Sequence, residues 1–186
     1  MTKNFTILAL LLGLTCFVSC GQNSKFSTAD KFLSYLNHYQ VDSLQTLIAD
    51  NFQLKRTYTT YTNDKKSFIE KYVPNSKNFN GTYKILKSTR SGQEVDFLVE
   101  DQSDYLKYLS IDFPKWKIQV ITNRQGKVEH VTIDTTENYQ TYLTQTKEKG
   151  GQFESWLKLK YPDETHEQLY NTAGLLTQRL KEYSKK

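Results

Sequence analysis

The spacing of apolar positions changes several times along the chain, and each change marks an element. Phe32, Leu33, Leu36 and Tyr39 recur at helical intervals, with Ser27 or Thr28 placed to cap the helix. A second helical stretch opens at Asp42, carries Leu44, Leu47 and Ile48, and stops at Asp50-Asn51. From Phe52 to Tyr61 the spacing drops to alternation, which puts Phe52, Leu54, Arg56 and Tyr58 on one face of a strand. Asn63-Asp64 then caps a third helix, Lys65 to Tyr72, which Pro74 is expected to end.

Beyond Gly81 the alternating pattern dominates. Tyr83 to Thr89 and Glu94 to Glu100 flank Ser91-Gly92 as a hairpin. Tyr105 to Phe113 and Trp116 to Thr122 read as long strands separated by Pro114, and the turn at residues 123–126 leads into a last strand, Lys127 to Ile133. Helical spacing returns in the final stretch, in pieces broken at Gly150-Gly151 and Pro162. There Leu169, Ala173, Leu176, Leu180 and Tyr183 form one apolar stripe. It serves either a helical pair docked on the domain or a surface for a protein partner, with Leu169, Leu176 and Leu180 the partner-surface candidates. The fold class is α+β.

The first 19 residues follow different rules. Lys3 is their only charge, and the apolar run Phe5 to Val18 falls short of the roughly 20 residues a membrane span needs. A basic start, a short apolar stretch and small residues after it describe a secretory signal. Phe17-Val18-Ser19-Cys20-Gly21 resembles the lipobox of bacterial lipoproteins, with Phe17 where Leu is usual. The resemblance implies removal of residues 1–19, lipidation of Cys20 and a short polar tether over residues 20–28. It also implies a membrane partner, since a diacylglycerol thioether and a further acyl chain supply the two anchors that stable attachment needs. Composition is similar to that of Bacteroidota lipoproteins, and no acidic cluster follows Cys20, so the expected location is the outer membrane, facing the periplasm. Cys16 leaves with the signal, which excludes thiolate chemistry from the mature chain. The net charge of +5 loses Lys3 and becomes a diffuse surplus, with 24 basic and 20 acidic side chains remaining. No nucleic-acid partner is expected from that balance.

The element order helix, helix, strand, helix, then antiparallel strands resembles the NTF2-like fold of SnoaL-like and ketosteroid-isomerase-like proteins. Leu47-Ile48-Ala49-Asp50-Asn51-Phe52 and Gly126-Lys127-Val128-Glu129-His130-Val131 carry the likeness. It implies N-terminal helices packed in a strongly curved antiparallel sheet, a cone with a pocket at its open end, and dimers through the outer sheet face. On this reading residues 29–136 form the domain and residues 137–186 a C-terminal helical extension.

Isomerases of that family use an Asp base in the first strand, and the matching position here is Arg56, which cannot abstract a proton. The strand expected to carry a second acid reads Ile118-Gln119-Val120. No catalytic residue is therefore transferred. If this face points inward, Arg56 on an aromatic wall requires an acidic partner or an anionic ligand; if the strand end is exposed, Arg56 is solvated or pairs with an Asp or Glu. Tyr58, Tyr83, Tyr105, Tyr108 and His130 complete the pocket candidates. His38, His130 and His166 lack metal-ligand spacing, and no metal or cofactor is expected. Asp96, Glu100, Asp101 and Asp104 read as solvated charges around a turn.

Three functions remain in play. The first is a non-enzymatic, membrane-anchored module that binds a small apolar or anionic ligand or an envelope protein. The second is a periplasmic enzyme using Asp96, His130 or a tyrosine inside the cone. The third is an assembly or inhibitor protein acting through its C-terminal helices.

Overall fold

The computed structural model describes residues 27–186; the signal sequence, Cys20 and most of the tether lie outside the described residues. Helix α1 (Thr28–Asn37) starts at a capping box in which Ser27 and Asp30 satisfy each other's backbone N–H groups. It buries Ala29, Phe32, Leu33 and Leu36. Helix α2 (Val41–Leu47) runs directly into strand β1 (Ile48–Arg56). After β2 (Thr62–Asp64) comes a continuous helical run of three segments, α3 (Lys65–Ser67), a π-helical stretch (Phe68–Tyr72) and α4 (Val73–Asn78).

Pro74 does not end that run. It falls in the first turn of α4, where a missing N–H is tolerated, just after the widened turn in which the Val73 N–H reaches back to the Phe68 carbonyl. Strands β3 (Thr82–Ser91) and β4 (Glu94–Gln102) form the expected hairpin, as do β5 (Lys115–Thr122) and β6 (Val128–Thr135).

The six strands form one sheet in the order β2-β1-β6-β5-β4-β3. Every pairing is antiparallel except β1 with β6, which runs parallel. Register shifts in β1, β3 and at the β5–β6 turn bend the sheet around the N-terminal helices. The helices fill the concave side, and Phe32, Phe52 and Phe68 meet there with ring centroids 4.9–6.2 Å apart. Strand β3 leaves a long free edge, exposed from Lys84 onward.

The stretch from Tyr105 to Phe113 is not a strand. Ser103 caps helix α5 (Asp104–Tyr108) by accepting from the Leu106 N–H, and the chain then loops to β5. Leu106, Leu109 and Ile111 all turn into a second core with Phe153, Leu169, Leu176 and Leu180. The last three are 6%, 2% and 0% exposed, so these partner-surface candidates pack internally, while Ala173 of the same stripe is exposed in the turn between two helices. Its helices are α6 (Tyr139–Lys160), α7 (His166–Asn171) and α8 (Leu175–Tyr183). Tyr139 and Tyr142 of α6 also pack on the first core, which joins the extension to the sheet. Among the described residues no helix is long and apolar enough to cross a membrane.

Helix α6 passes straight through Gly150-Gly151, where a break was expected. Tertiary approach explains the first of them, because a Cβ on Gly150 would lie 2.4 Å from the Tyr105 hydroxyl. A Cβ on Gly151 would meet nothing within 4 Å. Gly151→Ala is therefore expected to stabilise the fold by about 0.5–1 kcal/mol in urea denaturation, the helix-propensity gain alone. Gly150→Ala should destabilise it despite the same gain, and Tyr105→Phe in the same chain should recover much of the loss. Equal effects at the two glycines would remove this account.

Candidate functional site

Several inward-facing stripes of the sheet end in a polar or aromatic group at the same rim. On β1 the buried pair Phe52 and Leu54 leads to Arg56; on β4 the buried Val95, Phe97 and Val99 lead to Asp101. Asp101 pairs across the ladder with Tyr83 of β3, and Val99 with Trp116 of β5. The pleat and these registers bring groups from four strands around one cavity of about 470 Å³. From the helical side Tyr72 and Tyr142 complete its wall.

Arg56 is half-buried. Its Nη1 donates weakly to the Asn63 amide oxygen at 3.5 Å, and its guanidinium lies 5.0 Å from the centre of the Tyr72 ring. Asn63, itself 1% exposed, donates to the Tyr61 hydroxyl and Ser67 Oγ, which orients its oxygen toward Arg56. Among the described residues no carboxylate comes within 4.0 Å of Arg56. The Tyr72 and Tyr83 hydroxyls share a hydrogen bond of 2.9 Å. The Tyr83 backbone is clamped at both polar groups by Asn37, which accepts from its N–H at 2.7 Å and donates to its carbonyl at 2.8 Å. Tyr58, just past β1, stacks on Trp116 at 5.1 Å with planes 14° apart. Tyr139 backs that stack and Tyr142 meets Trp116 edge-on.

Asp101, expected among solvated charges around a turn, faces the cavity instead. Its Oδ2 accepts from the Trp116 indole N–H at 3.1 Å. Burial pushes its carboxyl up to about 6, against the opposing pull of that hydrogen bond and of the Arg56 charge. Burial likewise raises the Tyr58, Tyr72, Tyr83 and Tyr142 hydroxyls, so all four are neutral at physiological pH. A signal for Asp101 was present in the sequence, since it continues the alternation of Val95, Phe97 and Val99 by one more step.

The structure thus gathers Arg56, Tyr58 and Tyr83 around one cavity and leaves the other pocket candidates elsewhere. Tyr105 and Tyr108 sit on α5 and pack in the second core, because that segment is helical. His130 is exposed on the side of β6 opposite the inward-facing Val131 and Ile133, and Asp96 is exposed between the buried Val95 and Phe97. An acid–base pair built from Asp96 and His130 inside the cone is therefore ruled out by the pleat. A second depression of about 390 Å³ lies between α6 and α7, outside the cone.

No protein-family model and no curated protein matches the chain. Solved structures do resemble it. A protein from Kribbella flavida, provisionally assigned as a ketosteroid isomerase, superposes with a TM-score of 0.51 at 13% identity, over 60% of this chain and 77% of its own. SalBIII, an epoxide hydrolase/cyclase-like enzyme of pyran-ring formation in salinomycin, gives 0.51 at 9% identity, over 60% and 89%. An NTF2-like protein of unknown function from Cytophaga hutchinsonii gives 0.44 at 13%, over 57% and 88%. The fold is NTF2-like, a cone of curved sheet around N-terminal helices, with helices added at the C-terminal end.

The raised carboxyl of Asp101 has a consequence for stability. The folded state binds its proton more tightly than the unfolded chain, so this group favours folding in acid and that contribution fades as pH rises through 6. Asp101→Asn, which keeps an acceptor for the Trp116 N–H, should be more stable than the parent at pH 8 by up to about 3 kcal/mol. The difference should vanish below about pH 3, where the carboxyl is protonated in both states. Denaturant curves across that range check it; a pH-independent difference would contradict the assignment.

Proposed function

We propose that this chain is a lipid-anchored protein of the bacterial envelope, held at the outer membrane and facing the periplasm, whose cone binds a small organic anion. The observation that carries the reading is Arg56. A permanently charged guanidinium, half-buried at an open cavity, has an amide oxygen and a tyrosine ring beside it and no carboxylate in contact among the described residues. A carboxylate entering the cavity supplies the missing charge, and a planar apolar body can lie along the Tyr58–Trp116 stack. The cavity volume suits a ligand of one or two rings. Arg56 in place of an acid on β1 supports binding over isomerase-type proton abstraction.

The binding claim is tested with benzoate as the probe, using calorimetry on the full-length chain in non-ionic detergent. Benzoate should bind more tightly than benzamide, and Arg56→Met should weaken benzoate by about tenfold or more while leaving benzamide unchanged. Equal affinity for benzoate in the parent and the variant would count against an anion site at Arg56.

The anchoring claim rests on Lys3, the apolar run to Val18 and the Ser19-Cys20-Gly21 junction. In a bacterial host, a metabolic palmitate label should attach to the parent chain and disappear in Cys20→Ser. Persistent labelling of that variant would refute lipidation at Cys20.

A further inference from the structure

Arg56 and Asp101 open onto the same cavity with opposite charges, yet they do not pair, since no N···O distance between them falls within 4.0 Å. Each is held by a neutral partner of its own. Asn63 and the Tyr72 ring take the guanidinium; the Trp116 N–H takes Asp101 Oδ2 and leaves Oδ1 without a hydrogen-bond partner among the described residues. That free oxygen is not sealed in the protein interior, where among the described residues only Thr146 Oγ1 is an unpartnered buried side-chain atom.

The separation is fixed by the backbone. Asp101 is laddered to Tyr83, and its N–H is bound to the Pro114 carbonyl at 2.8 Å. Arg56 is in register with Ile133 of β6. A slip of one residue in either strand would turn the side chain to the outer face, so neither charge can move along its strand to meet the other.

We propose that the cavity is built for a small zwitterion, a ligand whose carboxylate meets Arg56 and whose ammonium group meets Asp101. This rests on the reading of the cone as a ligand site and adds the second pole. A simple anion satisfies Arg56 and leaves the Asp101 carboxylate desolvated and facing a second negative charge; a simple cation does the reverse. A molecule with both charges answers both and brings no net charge into the cavity. The other titratable groups lining the cavity are Tyr58, Tyr72, Tyr83 and Tyr142, all uncharged, with Tyr61 and Lys71 exposed at the rim. The tyrosines bring no positive charge, and Lys71 forms no ion pair with Asp101 within 4.0 Å.

The test compares 4-(aminomethyl)benzoate with 4-methylbenzoate, which differ only in the cationic end, by calorimetry at pH 7.5 on the full-length chain in non-ionic detergent. The zwitterion should bind at least about tenfold more tightly in the parent, as a charge-assisted hydrogen bond allows. Asp101→Asn should abolish that preference and bind 4-methylbenzoate more tightly than the parent, since the facing negative charge is gone, and Arg56→Met should weaken both probes. Carboxyl 13C NMR adds a readout free of ligand: Asp101 should titrate above the ordinary carboxylate range in the free protein and fall when 4-(aminomethyl)benzoate is bound. If 4-methylbenzoate binds through Arg56 as tightly as the zwitterion, or the preference survives Asp101→Asn, the second pole is refuted and the anion site stands. If neither probe binds, both readings fall. Titration of Asp101 below the ordinary range in the free protein would reveal a direct ion pair with Arg56 and overturn the proposal.

Discussion

The cavity depends on the contact of three phenylalanines at the closed end of the cone. Phe32 of α1, Phe52 of β1 and Phe68 at the start of the π-helical stretch are each no more than 1% exposed. Burial of rings of this size stabilises the fold by about 2–3 kcal/mol apiece, and their mutual contact sets the depth at which the helices sit within the sheet. Tyr72 lies one turn beyond Phe68 and stacks on it at 5.3 Å, so the aromatic row climbs from the core to the cavity wall. Without that wedge the helical run from Lys65 to Asn78 would have no fixed height, and Tyr72 would not meet Tyr83.

Above the wedge the chemistry changes from apolar to polar within two residues on each strand. Leu54 gives way to Arg56 on β1 and Val99 to Asp101 on β4, and both side chains line the same cavity. Burying a carboxylate there is unfavourable for folding, since it loses water and gains only a distant pull from Arg56 in place of a direct ion pair. Neutral partners soften the cost: an amide oxygen, an indole N–H, and a tyrosine face. Such a rim suits a surface whose charges are meant for something that comes and goes.

Much of the scaffold was legible in the sequence because local pattern and global environment agreed. The α1 stripe, both hairpins and the inward face of β1 follow from periodicity, and β1, β4, β5 and β6 bury the residues that periodicity selects, while β3 stays exposed from Lys84 onward. The failures share a cause. Tyr105 to Phe113 alternates well enough to resemble a strand, but Ser103 caps a helical turn and the apolar side chains face a second core that local pattern does not reveal. Gly150-Gly151 has the composition of a break, and only the approach of Tyr105 shows why a small residue is needed inside a helix. Arg56 was found because it interrupts an apolar face. Asp101 was missed because it stands among three other acids, and its inward direction depends on how far β4 continues before the chain turns.

On the proposed anchoring, the exposed edge formed by β3 would meet its copies at high local density. A long strand with unpaired backbone groups is a template on which a neighbouring molecule could add its own. Here the register shifts between Ile85 and Lys87, and Lys87 stands on the edge between Lys84 and Arg90, whose charges are paired with Glu100 and Asp30, so two such edges meet on mismatched ladders. Crowding on a surface would then press these molecules together without joining their sheets, and each cone would remain a separate vessel.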